Sequence, residues 1–469
     1  MQDFLAKYGL AAHLALVAVA PLFLFPFFGA SDCAGVLFAL SLFAAFWILF
    51  SPTRLKGEQS YEARARVVQG IACDPLFWAL VAVVLYASTG WLNTGVGMEY
   101  DAEAAVWRQA TAFVPFLPGS VSGQGSLPAA GALALLVAVT GVRQALGRSA
   151  RATFLYCVAL FSGLAALADL AAWSSGALGA ERAVLCAWTA SSYAGTGFAL
   201  SFLAGLVSLE LAFEEGMRRR IFLNAFALGA CAAGFLFFMP LEVAFLYLLA
   251  AVALILLAVV RLAIVRKAND VFKYLSVLLL ASLVPVLSIV GMASGDLLTA
   301  RGAVFARDGF FPENWLEIRG ILDALAREAW KSAPWFGTGA GSFALDLRFG
   351  ATPADWAVLP ADQTTALNGW WQILAETGVL GLLCMLLAPA FLLFTWVRRL
   401  CASFAKGRIT VLPAVLGVFA VALVWAEAFA TASLARPEVD VLACALLAVG
   451  GKAFPLPSHA MKRPPEKQA

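Results

Sequence analysis

The chain has 469 residues, of which 62% are hydrophobic and 13% are charged, and its formal net charge is +3. Soluble domains are about 45–50% apolar and about 25% charged, so the composition excludes an ordinary soluble protein. Apolar runs of about 20 residues recur along the chain, as in membrane-spanning helices, whereas membrane barrels consist of short alternating segments. The sequence therefore predicts an all-α polytopic membrane protein.

Apolar length and charged flanks divide the chain into four regions with about twelve predicted transmembrane helices. Residues 1–292 contain predicted helices 1–9, residues 293–377 form one long loop subdomain, residues 378–455 contain helices 10–12, and residues 456–469 form a tail. The predicted spans are residues 8–28, 34–51, 75–92, 127–146, 152–172, 185–211, 221–239, 241–262, 273–292, 378–397, 411–431 and 437–455.

Lysine and arginine residues fall on one side of the predicted bundle if the spans alternate in direction. Short connections rich in these residues stay in the cytoplasm. Both termini are therefore expected there, and the long loop and a shorter loop at about 93–126 are expected on the opposite side. The basic residues are Arg54, Lys56, Arg64, Arg66, Arg148, Arg151, Arg218, Arg219, Arg220, Arg261, Arg266, Lys267, Arg398, Arg399, Lys406, Lys462, Arg463 and Lys467.

The cysteines and histidines indicate no metal or redox site. The eight cysteines are scattered, mostly within apolar runs, and form no CxxC pair, which is typical of buried structural thiols. His13 lies in the first apolar run and His459 lies in the tail. We expect neither a metal nor another cofactor.

A helix is predicted from about residue 313 to 332, inside the long loop. Pro312 suits a helix start, Pro334 follows the helix end, and apolar residues such as Trp315 and Leu322 recur at three- and four-residue steps.

Arg319 lies on this predicted helix and is a candidate catalytic residue. A guanidinium can bind a diphosphate through two hydrogen bonds or stabilise a phosphate leaving group. The alternative is an ordinary helix charge that pairs with Glu317 or Asp323.

The glycines Gly337, Gly339 and Gly341 follow this helix in the run FGTGAGSF. The run does not follow a strand and lacks the spacing of a dinucleotide-binding fingerprint. Such glycines allow a backbone to approach a ligand closely and to expose N–H groups to an anion. A tight turn without a ligand is the alternative.

Asn368 and Glu376 flank the start of the tenth predicted span, two helical turns apart on nearly the same face. Glu376 is a candidate general base or a partner for an arginine, and a carboxylate favoured by the helix dipole is the alternative. Trp370 and Trp371 suit anchors at the membrane surface or stacking on a sugar ring.

Acidic residues near the same ends of other spans are Asp169, Glu242 and Glu427. Glu427 has apolar flanks, and an ionisable group at such depth is costly unless it faces a cavity or a partner. Polar residues such as Thr196 make one end of the sixth span suitable for a cavity lining or for helix–helix hydrogen bonds.

At these residues the chain resembles the bacterial O-antigen ligase and O-antigen polymerase superfamily. That family shows an arginine on a helix, a proline, a G-x-G-x-G-x-F turn, a His-Asn-x-x-Leu run and Ala-Glu-x-Gly-x-x-Gly. Here Arg319 precedes Pro334, FGTGAGSF and LNGWWQILAETGVLG. Two positions depart from the pattern: Leu367 replaces the histidine, and MPLEVAF around Glu242 lacks the family's Ser-Arg.

The resemblance implies a glycosyltransferase of the bacterial inner membrane that needs no cofactor. Its donor is a glycan on undecaprenyl diphosphate, and its acceptor is lipid A core, another glycan or a protein. Arg319 then stabilises the diphosphate, and Glu376, Glu242 or Glu427 replaces the histidine as base. The glycines, Asn368 and Trp370 shape or bind the substrate, and no nucleic acid takes part.

Three alternatives remain open from the sequence. A polymerase of repeat units has the same expected fold. A non-catalytic member can bind the lipid-linked glycan as a partner subunit. A secondary transporter fits the number of spans, but the long loop and the lack of broken-helix pairs argue against it.

Overall fold

The computed structural model describes residues 8–24, 30–52, 58–101, 106–110, 112–114, 117–174, 192–239, 241–265, 268–293, 315–359, 363–404, 412–431 and 437–450. The helices in these ranges are α1 (Leu10–Leu24), α2 (Ala30–Phe50), α3 (Ser60–Ala72), α4 (Pro75–Leu92), α5 (Ser126–Thr140), α6 (Arg148–Ser174), α7 (Ser192–Glu215), α8 (Arg218–Phe238), α9 (Leu241–Val265), α10 (Ala268–Ala293), α11 (Trp315–Ser332), α12 (Phe343–Gly350), α13 (Pro353–Trp356), α14 (Gly369–Phe404), α15 (Leu412–Glu427) and α16 (Pro437–Gly450).

Eight helices in the described part of the chain are long and apolar enough to cross a membrane. Their spans are Ser31–Phe50, Pro75–Leu92, Ser126–Ala145, Ser149–Ala172, Ala194–Phe213, Arg218–Phe238, Val243–Ala263 and Gly369–Arg398. Shorter apolar helices are Leu10–Leu24, Val415–Glu427 and Val439–Gly450. The protein is therefore a helical membrane protein in a lipid bilayer. The predicted number of twelve spans stays a prediction, and residues 185–191 and 456–469 lie outside the described ranges.

A small sheet in the first loop (residues 93–126) adds to the expected all-α fold. β1 (Thr94–Asp101) lies between β2 (Val106–Ala110), its antiparallel partner, and β3 (Ser120–Val121), its parallel partner. The antiparallel register pairs Gly97 with Ala110, Met98 with Gln109, Glu99 with Arg108, Tyr100 with Trp107 and Asp101 with Val106. The strands were not predicted from the sequence, because the glycine, proline and serine residues of this loop favour turns.

The side chain of Asn93 folds the end of the first loop back toward β1. Its Nδ2 donates to the carbonyl oxygens of Val114 at 3.0 Å, Leu117 at 3.2 Å and Pro118 at 2.9 Å, and its Oδ1 accepts from the Val114 amide at 2.8 Å. One buried amide thus pairs backbone groups that have no ladder partner.

The described part of the second loop (residues 293–377) has its own hydrophobic core. Helix α11 matches the helix predicted at 313–332 and turns its apolar face toward α12 and the residues before α14. The buried residues of this core are Leu322, Ala326, Phe343, Leu347, Leu359, Ala366, Leu367 and Ala375. The loop is therefore a packed unit that can position side chains.

Small residues allow the membrane helices to pack closely. A Cβ atom added to Gly417 in α15 would lie 2.4 Å from the Cα atom of Leu447 in α16. A Cβ atom added to Gly163 in α6 would lie 3.0 Å from the Cα atom of Ala227 in α8. Such close backbone approach is typical of helix pairs in membranes, where dispersion replaces the hydrophobic effect as the driving force.

A buried ion pair joins the end of α5 to the start of α4. A π-helical turn at Gly141–Ala145 follows α5 and contains Arg143, whose Nη2 lies 3.1 Å from Oδ2 of Asp74. Gln144 Nε2 donates to the same oxygen at 2.8 Å, and Oδ1 of Asp74 caps α4 by accepting from the Leu76 amide. Because both charges are buried, removal of either one would leave the other buried without a compensating charge.

We predict that Asp74→Asn lowers the free energy of unfolding by about 3–5 kcal/mol, because it leaves Arg143 buried without a charged partner. Asparagine keeps the side-chain volume and an oxygen for the cap. Asp270→Asn is the matched control, since the ion pair of Asp270 with Lys273 is accessible to solvent, and its expected effect is below about 1 kcal/mol. Equal losses for the two variants, measured by denaturation in mixed micelles, would contradict this account.

Candidate functional site

The first two turns of α14 are separated from the rest of the helix by Gly378. This residue has φ 66° and ψ −171°, so the helix is interrupted there. Beyond the break, the amide of Val379 donates to the carbonyl of Pro334 at 3.0 Å, and the amide of Leu380 donates to the carbonyl of Trp335 at 3.2 Å. Residues just after α11 therefore provide the acceptors that the interrupted helix lacks.

The glycine turn (residues 337–341) packs directly against the backbone at this break. The amide of Thr338 donates to the carbonyl of Ala375 at 2.8 Å, and the amide of Gly339 donates to that of Glu376 at 2.9 Å. Gly337 has φ 71°, and a Cβ atom there would lie 2.3 Å from the carbonyl carbon of Glu376. Both the left-handed conformation and the close contact require glycine.

The carboxylate of Glu376 is directed at the same turn. One oxygen accepts from the Gly341 amide at 3.0 Å, and the other accepts from Gln372 Nε2 at 3.1 Å. The oxygen of the Gln372 amide accepts from the Ala366 amide at 3.1 Å. Glu376 thus ties α14 to the glycine turn, and its predicted role as a base stays a prediction.

The glycine turn also joins the two loops. The amide of Ala340 donates to the Gly119 carbonyl at 2.9 Å, and the amide of Val121 donates to the Ala340 carbonyl at 3.0 Å. A Cβ atom on Gly339 would lie 2.8 Å from Cγ2 of Val96 in β1. The three predicted site glycines therefore lie between α14 and the small sheet.

Arg319 belongs to a polar chain of contacts at the start of α14. Its Nε lies 3.7 Å from Oδ2 of Asp323, one helical turn away, and 24% of its side chain is exposed. The side chain of Asn368 faces Asp323. Burial raises the pKa of Asp323, and the positive charge of Arg319 and the side chain of Asn368 partly oppose that increase.

Asn368 has a second role as the cap of α14. Its Oδ1 accepts from the amides of Trp370 at 3.2 Å and Trp371 at 3.4 Å. The amide of Gly369 donates to the carbonyls of Ala428 at 2.7 Å and Thr431 at 2.9 Å, at the end of α15. The asparagine of the motif thus fixes the helix start beside Arg319.

The two tryptophans of the motif pack against protein. Trp370 Nε1 donates to the carbonyl of Trp425 at 3.3 Å, and its ring contacts Trp425 and Phe429. The ring of Trp371 lies 5.1 Å from the guanidinium carbon of Arg327. These contacts support the position of α14 between α11 and α15.

Leu367, which stands where the resembled family has histidine, is buried in the core of the second loop with 8% of its surface exposed. The neighbouring residue Asn368 faces Asp323. The backbone therefore directs position 367 into apolar packing, for which leucine is suited.

Glu427 is fully buried and has partners on two other helices. Oε1 accepts from the Thr196 hydroxyl at 2.6 Å, and Oε2 accepts from the Tyr247 hydroxyl at 2.9 Å. Thr196 was predicted to face a cavity or a partner helix, and it bonds to a partner helix. Glu242 lies in the first turn of α9, and its side chain is outside the described residues.

A cavity of about 150 Å³ lies beneath the joined loops, among α4, α5, α14 and α16. Pro118, Gly119, Phe336 and Ala340 line it on the loop side. Its polar lining includes Tyr86, Glu376, Thr377 and Asp440. Sequence reasoning found Glu376 but missed Tyr86 and Asp440, because neither belongs to a local motif and only the fold brings them together.

The candidate site thus consists of the Arg319 chain of contacts, the glycine turn and the cavity, all connected through the first turns of α14. Within the described residues, no group of three or more histidine, cysteine or acidic side chains is arranged to hold a metal ion. No protein-family model and no curated protein matches this chain. The resemblance to the O-antigen superfamily therefore depends on the motif residues alone.

We predict that Gly378→Ala destabilises the packing of the glycine turn against α14 far more than Gly123→Ala does. Both glycines have positive φ, but a Cβ atom at 378 would lie 2.4 Å from the carbonyl carbon of Trp335, whereas one at 123 has no neighbour within 4 Å. A non-glycine residue held at the backbone conformation of Gly378 (φ 66°, ψ −171°) costs about 1–3 kcal/mol before any steric contact is counted. Hydrogen exchange at the Thr338 and Gly339 amides should accelerate only in Gly378→Ala, and equal protection in both variants would refute the steric account.

Proposed function

We propose that the chain is a glycosyltransferase of the bacterial inner membrane. It moves a glycan from undecaprenyl diphosphate to an acceptor hydroxyl at the periplasmic face, as an O-antigen ligase does. The observation that carries this proposal is the assembly of Arg319, Asn368, Glu376 and the glycine turn, which belong to separate segments of the motif, around the first two turns of α14. A repeat-unit polymerase is the closest alternative, because it uses the same donor.

Arg319 is suited to bind the diphosphate of the donor. It lies on a packed loop helix, is partly exposed, and has Asp323 as its ion-pair partner. A diphosphate can share the guanidinium with Asp323 because an arginine has five donors. Charge that develops on the leaving group is then stabilised by an arginine already held in position.

In the proposed reaction, the oxygen of the acceptor hydroxyl attacks the anomeric carbon of the donor. The bond from that carbon to the diphosphate oxygen breaks, and the diphosphate leaves with the electron pair. The hydroxyl proton passes to a base, for which Glu376, Glu242 and Glu427 are the candidates from the sequence. Glu376 is favoured among them because it lines the cavity.

The proposal is tested by the envelope glycan profile of a deletion strain complemented with variants. Arg319→Ala should reduce transfer about 100-fold or more, because the leaving group loses its charged partner. Arg348→Ala is the matched control, since Arg348 is an exposed arginine of the same loop. Glu376→Gln tests the base, because it keeps the shape of the side chain and removes the charge.

The profile also separates the alternatives. If the deletion strain lacks long glycan chains on the lipid anchor and accumulates lipid-linked polymer, the protein is a ligase. If its lipid anchors bear a single repeat unit, the protein is a polymerase. Full restoration by Arg319→Ala would refute the assignment of Arg319.

A non-catalytic glycan-binding subunit is a second candidate function. It is favoured by the apolar burial of Leu367, since the histidine of the resembled family has no counterpart at that position. It predicts that a deletion changes the profile while Glu376→Gln and equivalent changes at Glu242 and Glu427 all restore it.

The proposed orientation places both termini in the cytoplasm, and single-cysteine variants test it. Cys73 is exposed before α4, on the predicted cytoplasmic side. Gly320→Cys introduces a thiol on α11, where a Cβ atom has open space. A membrane-impermeant maleimide should label position 320 in intact spheroplasts and Cys73 only after permeabilisation. The reverse pattern would overturn the orientation.

A further inference from the structure

The cavity beneath the joined loops has polar groups that mainly accept hydrogen bonds. The hydroxyl of Tyr86 donates to the Thr377 carbonyl at 2.7 Å, and the hydroxyl of Thr377 donates to the Ile373 carbonyl at 2.8 Å. Glu376 and Asp440 contribute carboxylates, which are acceptors when ionised. A ligand that fits this lining therefore has to supply the hydrogen-bond donors.

The charge of the lining selects against anions. Two carboxylates face the cavity, and no lysine or arginine is among the described residues that line it. Arg319, the candidate for the diphosphate, is not part of the lining either. A phosphate in the cavity would meet like charges in apolar surroundings, where repulsion is only weakly screened.

The size and walls of the cavity match one six-membered ring. An apolar cavity of about 150 Å³ in another protein binds benzene, and this cavity has the same volume. Its walls consist mostly of apolar side chains and of glycines such as Gly90, Gly125 and Gly131. Such a combination of apolar walls and few polar groups is typical of small-molecule sites.

Asp440 is the carboxylate that comes from outside the motif. It lies in the first turn of α16 with 7% of its surface exposed. Both oxygens of Glu376 accept hydrogen bonds from Gly341 and Gln372, and Asp440 contributes a second carboxylate to the lining from a separate helix.

We infer that this cavity binds one hydroxyl-bearing sugar ring and excludes the diphosphate. Asp440 accepts hydrogen bonds from the ring hydroxyls, and Glu376 provides a second acceptor. The biological role of this site, as the place of a sugar unit of the acceptor, depends on the proposed function. The binding chemistry itself depends only on the cavity.

The inference is tested by photo-crosslinking to the full-length protein in phosphatidylcholine nanodiscs. The probe is octyl β-glucoside with a diazirine in the octyl chain, and octyl phosphate and octylammonium with the same diazirine are its charged counterparts. Mass spectrometry locates the labelled residues. We expect the glucoside to label residues 83–90 and 373–385, which line the cavity, and free octyl β-glucoside to compete. Octyl phosphate should label these segments at least about tenfold less, because the carboxylates of the lining repel it. Octylammonium carries the opposite charge but lacks the ring and its hydroxyls, so equal or stronger labelling by it would indicate a cation site instead of a sugar site.

Two variants establish that the label reports the cavity. Asp440→Asn should reduce glucoside labelling about tenfold. Gly90→Leu should abolish it by filling the cavity, because a Cβ atom at Gly90 lies 3.7 Å from its nearest neighbour and is tolerated. Gly35→Leu, on α2 with open space around its Cβ position, is the matched control and should label as the wild type does.

Three results would overturn the inference. They are equal or stronger labelling by octyl phosphate, equal or stronger labelling by octylammonium, and unchanged glucoside labelling in Gly90→Leu. Labelling requires no glycan transfer, and we expect it to persist in Arg319→Ala. Failure of the cavity inference is therefore distinct from failure of the proposed function, which the glycan profile reports.

Discussion

The organisation of the candidate site depends on one interruption in a helix. At Gly378 the backbone of α14 leaves the helical conformation, and amides beyond the break donate to Pro334 and Trp335. An unpaired amide inside a membrane costs several kcal/mol. The carbonyls of Pro334 and Trp335, just after α11, must therefore lie close enough to accept these hydrogen bonds. The glycine turn follows from this requirement, since it must pass within van der Waals contact of the Glu376 backbone.

Polar residues of the first two turns of α14 lie on two sides of the contact with the glycine turn. On the loop side, Asn368 caps α14 and faces Asp323, which pairs with Arg319. On the membrane side, Glu376 and Thr377 line the cavity between the helices. The first two turns of α14 thus separate a basic site in the loop from an acidic cavity in the bundle. This separation is compatible with the proposed transfer from an anionic donor to a sugar hydroxyl.

Local patterns in the sequence predicted the helical membrane class, the amphipathic helix α11 and a partner for Glu427. The membrane class and α11 follow from residues that are close in sequence. The partner of Glu427 follows from the free-energy cost of burying a charge. The bond from Ala340 to Gly119 and the meeting of Tyr86 with Thr377 depend on residues more than 200 positions apart, and no local pattern encodes them. The strands of the first loop were missed because glycine and proline favour turns, while β1 forms through pairing with β2 and β3. Asp440 was missed because a single aspartate at a helix start usually serves only the helix dipole.

The bond between Tyr86 and Thr377 spans 291 residues, which has a consequence for biosynthesis. A chain emerging from the ribosome inserts α4 and the first loop long before α14 is made. The parts of the site that belong to α4, α5 and the first loop are complete only after the C-terminal third is inserted, and α16 supplies the last wall. Assembly of the site is therefore a late event of membrane insertion, and a nascent chain that stops before α16 lacks Asp440 altogether.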